Sequence, residues 1–334
     1  MKIVNVILTS VNGGAEKVFL DYCKILKERL GHDVYAIIKE DAPYGTKLNE
    51  IGVKYKKISN KFGYHDPIAI NSIKKALIEF DAQATISHAG KASILTRKAI
   101  KKSKRKIYET CVNHSNNVKR SIGANMVICV NRNIFYQVID RGQKTEQTAI
   151  IHNAIEIEES QQKFNASKID FDKDEIVLGM MARLDRHKGF IEALEALSKI
   201  KSEKKFKLLI AGQGFFKKDI DEKIIELGLG NKVSFCGWID KPQDFFDKVD
   251  VFLFPSVKNE TFGIVLLEAI KANIPVICSN DFGPQEIIRP DQDGIMVDLS
   301  PTETFSQRIA DASLKLTSDA QGAKEMARSA HERL

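Results

Sequence analysis

Short apolar runs of four to eight residues alternate along the chain with longer segments in which apolar positions return every three or four residues. Residues 3–8 read as a buried strand. Residues 15–30 read as an amphipathic helix with Val18, Phe19, Tyr22, Ile25 and Leu26 on one side, and 34–38 as the next strand. That is a βαβ unit. Residues 85–87, 107–110 and 126–130 continue the strands of the first half, and 176–182, 208–211, 233–236, 251–254, 276–278 and 294–297 supply those of the second. A polar segment, 156–162, interrupts the rhythm between them. Because parallel neighbours need a crossover, this alternation predicts parallel sheets with helices on both faces. The expectation is α/β: two Rossmann-like, doubly wound domains, 1–157 and 158–315, facing across a cleft. Residues 316–334 are expected to form a C-terminal helix that crosses back to the first domain.

Composition agrees with two such domains. Of 334 residues, 43% are hydrophobic and 28% charged, which excludes collagen-like and disordered classes. No apolar stretch approaches the roughly 18 to 20 residues of a spanning helix. The short apolar run at the N-terminus meets a polar turn at 9–14 and reads as a first strand, not a signal peptide. Cys23, Cys111, Cys129, Cys236 and Cys278 are odd in number and scattered, so a reducing cytoplasm is expected, without a disulfide framework or thiolate metal site.

Charge is unevenly spread. Residues 1–157 hold 26 Lys and Arg against 14 Asp and Glu, whereas 158–334 hold 25 against 30. Much of the excess is the run Lys98, Lys101, Lys102, Lys104, Arg105 and Lys106. An anionic membrane surface is one partner that such a run would attract, at about 1 kcal/mol per well-placed cation. Nucleic acid is not expected, since no recognition motif accompanies the charge.

In open α/β sheets ligands sit beyond the carboxyl ends of the strands, so residues that follow strands are the informative ones. Arg183 and Lys188 follow the strand at 176–182 and precede a helix, where cations and unbonded amides can hold a phosphate or pyrophosphate. After 251–254 come Glu260, Phe262, Gly263, Ile264, Val265 and Glu268, with the helix expected to begin near 261–263. Eight helical residues rise about 12 Å, on the order of the span from a ribose through a pyrophosphate to a sugar. Glu268 would accept from ribose hydroxyls and Glu260 from those of a transferred sugar, with the Gly263, Ile264 and Val265 amides on the phosphates between. Gly13 and Gly14 open a helix after the first strand and permit close approach of a phosphate or substrate. Gly212-Gln213-Gly214 lacks a third glycine, which argues against a nicotinamide dehydrogenase. His88 and His114 each follow a strand and are candidates to point at a ligand.

Together these residues resemble the retaining glycosyltransferases of family 4, with their B-type (GT-B) architecture of two Rossmann domains. The resemblance rests on Ala182-Arg183-Leu184 with Lys188-Gly189, on 210–214, 233–238 and 250–256, and on the pair Glu260 and Glu268 eight apart. In the first half it rests on Gly13-Gly14-Ala15-Glu16, His88 and Asn153-Ala154. It implies that Arg183 and Lys188 bind the donor pyrophosphate, Glu268 the ribose, and Glu260 with the backbone at 262–264 the donor sugar. Trp238 and Ile239 would border the base, Gly14 would approach the diphosphate, and His88 would lie near the sugar. Gly283-Pro284 stands where that family often has two glycines, and the proline removes an amide donor.

The implied reaction moves a sugar, with retained configuration, from a nucleotide-diphosphate donor, UDP before other nucleotides, to a glycan or lipid-linked acceptor hydroxyl. It is expected in the cytoplasm or on the cytoplasmic face of a membrane, in lipopolysaccharide, capsule or lipid-linked oligosaccharide synthesis, with no cofactor and no metal. Asp170-Phe171-Asp172 has the D-x-D pattern of metal-dependent transferases but precedes a strand, so no metal role is assigned to it. The rival readings are a nucleotide-sugar epimerase on the same scaffold and a non-catalytic protein binding anionic membrane or nucleic acid.

Overall fold

The computed structural model describes residues 1–157, 164–165, 169–258 and 260–334. Most of the polar stretch expected at the domain boundary, 158–162, lies outside the described residues. The chain divides into two compact units, Met1–Asn153 and Ala154–Leu334.

The first unit holds one sheet built from β1 (Lys2–Ile7), β2 (Asp33–Lys39), β3 (Lys54–Ile58), β4 (Ala84–His88), β5 (Tyr108–Asn113), β6 (Met126–Cys129) and β7 (Thr148–Ile150). Its spatial order is β3-β2-β1-β4-β5-β6-β7, every neighbouring pair parallel. Alternation along β1 sends Val4 and Val6 to one face, under the helices Pro67–Glu79 and Ala89–Ser103, where Ile70, Ile73, Leu77 and Leu95 meet them. Ile7 goes to the other, against Phe19 and Cys23 of the helix Gly14–Lys24. Both faces are buried, as an all-parallel sheet requires.

The second unit repeats the plan with β8 (Glu175–Met181), β9 (Lys205–Ala211), β10 (Val233–Gly237), β11 (Val251–Phe254), β12 (Val276–Ser279) and β13 (Ile295–Val297), in the order β10-β9-β8-β11-β12-β13 and again all parallel. Leu178 and Met180 of β8 pack with Phe190 and Leu194 of the helix Phe190–Lys199 and with Phe305 and Ile309 of Phe305–Ser318. Two parallel-sheet α/β domains of the expected class are therefore present. The last helix, Ala320–His331, packs on Phe305–Ser318 and Ile264–Lys271 within the second unit.

Three local expectations need correction. The helix expected at 15–30 ends as an α-helix at Lys24 and continues as one π-turn, Ile25–Arg29, closed by the Leu30 amide on the Ile25 carbonyl. The wider turn rotates the apolar stripe, so Leu26 packs on the core and Ile25, expected inside, is 40% exposed. β3 and β7 were not expected. Both are sheet edges, and β3 (KYKKI) has the lysine-rich pattern that keeps an edge from pairing with other chains, which masks its strand periodicity.

In both sheets the order reverses beside the first strand, between β1 and β4 and between β8 and β11. In doubly wound sheets the ligand lies outside the carboxyl ends at such a reversal.

Candidate functional site

In the second unit the reversal brings the loop after β8 beside the loop after β11. From the end of β8 the chain runs through Arg183 to a 3-10 turn, Arg186–Lys188, capped by the Asp185 carboxylate on the His187 amide (3.1 Å). Gly189, left-handed at φ 77°, then starts the helix Phe190–Lys199. No side chain fits there, since a Cβ on Gly189 would lie 1.9 Å from the Pro255 carbonyl oxygen. The Val257 amide donates to the His187 carbonyl (2.9 Å), and together these contacts lock the two loops.

Lys188 is thereby aimed at Glu260. Its ammonium donates to Glu260 Oε2 at 2.7 Å, and the Ser256 hydroxyl donates to the same oxygen at 3.1 Å. Glu260 is buried, Lys188 is half-buried, and the Phe254 ring lies 5.9 Å from the ammonium. The loop after β12 braces the acid from behind. Asp281 accepts from the Glu260 amide (2.9 Å), and the Gly283 amide donates to the Glu260 carbonyl (3.1 Å). The loop of Gly283 and Pro284 thus spends its glycine amide on Glu260's backbone. Arg183 stands apart from this group: it is largely exposed, with Asp185 3.5 Å away.

The acidic pair is divided between loop and helix, as expected. The helix is Ile264–Lys271, started by Gly263 at φ 99°, so Glu260 lies in the preceding loop and only Glu268 is helical. The Glu260–Glu268 separation is therefore not an eight-residue helical rise, because the left-handed glycine turns the chain first. The Ile264 and Val265 amides occupy the first turn, which has no internal acceptors for them. Phe262 is buried and Glu268 half-buried. From the next strands, Gly212 donates its amide to the Gly237 carbonyl (2.7 Å), and a Cβ on it would lie 1.9 Å from the Ala182 oxygen. Trp238, 45% exposed, donates its indole N–H to Asp240 (2.9 Å), and Ile239 is half-buried beside it. All these residues follow carboxyl ends of β8 to β12 and so share one edge of the sheet.

Asp170 and Asp172 lie before β8, at the opposite edge. The Asp172 amide donates to the Asp170 carboxylate (3.0 Å) and Phe171 enters the core between them.

Gly13, Gly14 and His88 belong to the first unit, at its own reversal. His88 ends β4, fully buried, with the edges of Phe19 and Tyr22 against its ring. Its ring lies nearly parallel to that of His114, at 13°, with Nδ1 2.9 Å from His114 Nε2, and its own Nε2 is buried without a partner. Burial, and then the charge of His114, push His88 well below the ordinary histidine value, and burial takes His114 down to about 4. Both rings are neutral near pH 7, one donating to the other.

The unfolded chain takes up these protons near pH 6.5. Between there and about pH 4 it binds more protons than the folded chain, so stability falls as pH falls. The His114 shift contributes at most about 3 kcal/mol of this, and the lowered His88 adds to it. Melting temperature should drop by several degrees from pH 7 to 4.5, and by distinctly less in His114→Gln. An unchanged slope in that variant would clear the pair of responsibility.

Sequence reasoning left three contributors without a role: Ser256 and Asp281, which reach Glu260 from other loops, and Glu16, considered below. Ser256 followed the strand end directly, which was the available signal. Asp281 offered none.

Residues 161–333 match the family model described as glycosyl transferases group 1. The lipopolysaccharide core biosynthesis glycosyltransferase LpsE of Rhizobium meliloti is 32% identical over 153 residues, 45% of this chain and 44% of that protein, so the chain spans under half the length of this relative. The O-antigen biosynthesis glycosyltransferase WclY of Escherichia coli is 26% identical over 303 residues, 84% of this chain and 80% of that protein. Among solved structures, Anabaena Alr3699/HepE in complex with UDP-glucose has a TM-score of 0.84 at 21% identity, covering 99% of this chain and 93% of that one.

Proposed function

Since the chain belongs to the group 1 glycosyl transferases, we propose that it moves a sugar from UDP-sugar to a hydroxyl of a glycan or lipid-linked acceptor, with retention of anomeric configuration. The observation that carries this reading is the Lys188–Glu260–Ser256 cluster, held at the sheet reversal beside the first-turn amides of Ile264–Lys271. A cation next to unbonded amides suits a leaving diphosphate, and a carboxylate accepting from a hydroxyl suits a sugar. UDP is favoured by the ligand of the Anabaena neighbour. An acceptor in lipopolysaccharide or O-antigen assembly is favoured by the names of the Rhizobium and Escherichia relatives.

In this reaction the bond from the anomeric carbon to the phosphate oxygen breaks and one to the acceptor oxygen forms on the same face. The acceptor proton passes to the departing phosphate. Negative charge grows on the diphosphate as the bond breaks, and Lys188, Arg183 and the Ile264 and Val265 amides would stabilise it. Glu260 would hold hydroxyls of the donor sugar, Glu268 those of the ribose, and His88 would lie near the sugar. Trp238 and Ile239 would border the base, with Gly212 keeping their loop close to the end of β8. No metal or cofactor is assigned a role.

The test offers a panel of nucleotide-diphosphate hexoses with octyl hexosides in EDTA, following nucleotide release and the anomeric coupling of the product by NMR. UDP release and an α-linked product from an α-linked donor are expected. A β-linked product would refute retention, and no release with any pair would refute the transferase reading.

The basic run in the first unit favours a membrane-facing setting for the reaction. Lys98 is tied to the Tyr64 carbonyl and His65, and Arg105 to Asp81. Lys101, Lys102, Lys104 and Lys106 stay exposed around the end of the helix Ala89–Ser103, next to a half-exposed Tyr108. No described helix is long and apolar enough to cross a membrane. A cytoplasmic site, peripheral to the membrane, accords with five free cysteines, four of them buried. Flotation with vesicles of one-quarter phosphatidylserine should carry the protein up at low salt and release it as salt rises; no flotation at low salt removes the membrane from the proposal.

A further inference from the structure

Glu16 is the third residue of the helix Gly14–Lys24 and only 5% exposed. Its carboxylate has no hydrogen-bond or ion-pair partner among the described residues. One of its oxygens stands 3.0 Å from where a Cβ on Gly13 would be, so the side chain folds back over the Gly13–Gly14 backbone. One turn along the same helix face, Phe19 sets its ring edge against both Tyr44 and His88. Burial first, with the charge of Glu16 adding to it, pushes the Tyr44 hydroxyl up to about 12. Glu16 therefore sits at the carboxyl end of β1, and His88, paired in register with Ile7, at that of β4. These are the two strands between which the order of the first sheet reverses. The Glu16 carboxylate thus stands on one side of that reversal, on a residue 5% exposed, and His88 Nε2, a buried atom without a hydrogen-bond partner, stands on the other.

A buried carboxylate without donors is costly, and the amides at its helix N-terminus offset only part of that cost. It would repel a phosphate placed beside it in such a poorly hydrated spot. A hydroxyl, by contrast, donates to it and gains a charge-assisted hydrogen bond. We propose that Glu16 is a binding residue for a sugar hydroxyl, and that Gly13 and Gly14 give close access to the edge of that sugar instead of cradling the donor diphosphate. This rests on the transferase reading above and reassigns the two glycines within it. The hydroxyl belongs to the acceptor or to the donor's sugar, and the two sources separate kinetically.

Glu16→Gln keeps the length and polarity of the side chain in the first helical turn, so the fold should survive, with a melting temperature within about 2 °C of wild type. Wild type and variant are compared on the UDP-sugar and octyl hexoside that the wild type turns over. In the variant, kcat/KM for transfer should fall about ten- to a hundredfold, the scale of one hydrogen bond to a charged group. Calorimetric affinity for UDP alone should be unchanged or tighter. If the loss lies in the KM of the octyl hexoside while hydrolysis of the UDP-sugar by water is spared, the hydroxyl is the acceptor's. If hydrolysis falls in parallel, it is the donor sugar's. An active wild type with Glu16→Gln equally active, or with weaker UDP binding in the variant, overturns this inference alone. A wild type inactive with every pair overturns the transferase reading and this inference with it.

Discussion

Lys188→Ala should lose transfer by about a thousandfold in kcat/KM while the protein still folds, the scale expected when a group that stabilises developing transition-state charge is removed. The ammonium reaches Glu260 Oε2 at 2.7 Å in the absence of donor, so the substitution does two things. It removes the cation proposed for the diphosphate, and it leaves a buried carboxylate with the Ser256 hydroxyl as its remaining side-chain donor of the cluster. The second effect should cost about 1 to 3 kcal/mol of stability in the second unit. Stability and activity can then be separated by the double variant Lys188→Ala/Glu260→Gln. Neutralising the stranded acid should restore most of the lost melting temperature and none of the lost transfer. Initial rates and thermal melts on the three proteins check this. If the double variant regained activity along with stability, Lys188 would be a structural partner of Glu260 and nothing more. Arg183, exposed and only 3.5 Å from Asp185 at its nearest, should be the milder loss of the two cations on Ala substitution.

The parts of this site legible in the sequence are those that follow directly from alternation. Once β8 and β11 are recognised as strands, Lys188 and Glu260 fall just beyond their carboxyl ends, and a doubly wound order makes those ends neighbours. The same reasoning located His88 after β4 and Gly13 after β1. What escaped depends on loop geometry, which has no period. Asp281 reaches the Glu260 amide across 21 positions of sequence, from the loop after β12. The left-handed turn at Gly263 also replaces the helical rise of about 12 Å expected between Glu260 and Glu268. Glu16 was read as part of a glycine motif because the pattern shows that a helix begins there, not that the carboxylate folds inward. The π-turn at Ile25–Arg29 escaped for a related reason: one extra residue per turn leaves the apolar count intact and changes only which side chain faces the core.

Glycine substitutions in the second unit should sort by contact, and this tests whether the seating of the loops, and not backbone conformation alone, keeps Lys188 in place. Gly189 and Gly228 both have left-handed backbones, at φ 77° and 65°. A Cβ on Gly228 meets nothing within 4 Å, whereas one on Gly189 would lie 1.9 Å from the Pro255 carbonyl oxygen, a rigid backbone atom. Both Ala variants incur the left-handed cost of about 1 to 2 kcal/mol. Gly189→Ala must in addition separate the loop after β8 from the loop after β11. That should raise its cost to about 3 to 5 kcal/mol, in the range of a buried overpacking with strain. For a unit of this size the difference is roughly 5 to 10 °C in melting temperature. Gly212→Ala, whose Cβ would meet the Ala182 oxygen at 1.9 Å, belongs with Gly189→Ala. Moving the end of β8 away from β11 also pulls Lys188 from Glu260, so Gly189→Ala should lose transfer well below its melting temperature while Gly228→Ala keeps it. Equal melting temperatures for the Gly189 and Gly228 variants would mean that the loops give way freely. The 2.7 Å contact between Lys188 and Glu260 would then need some other support than the packing of glycine on carbonyl.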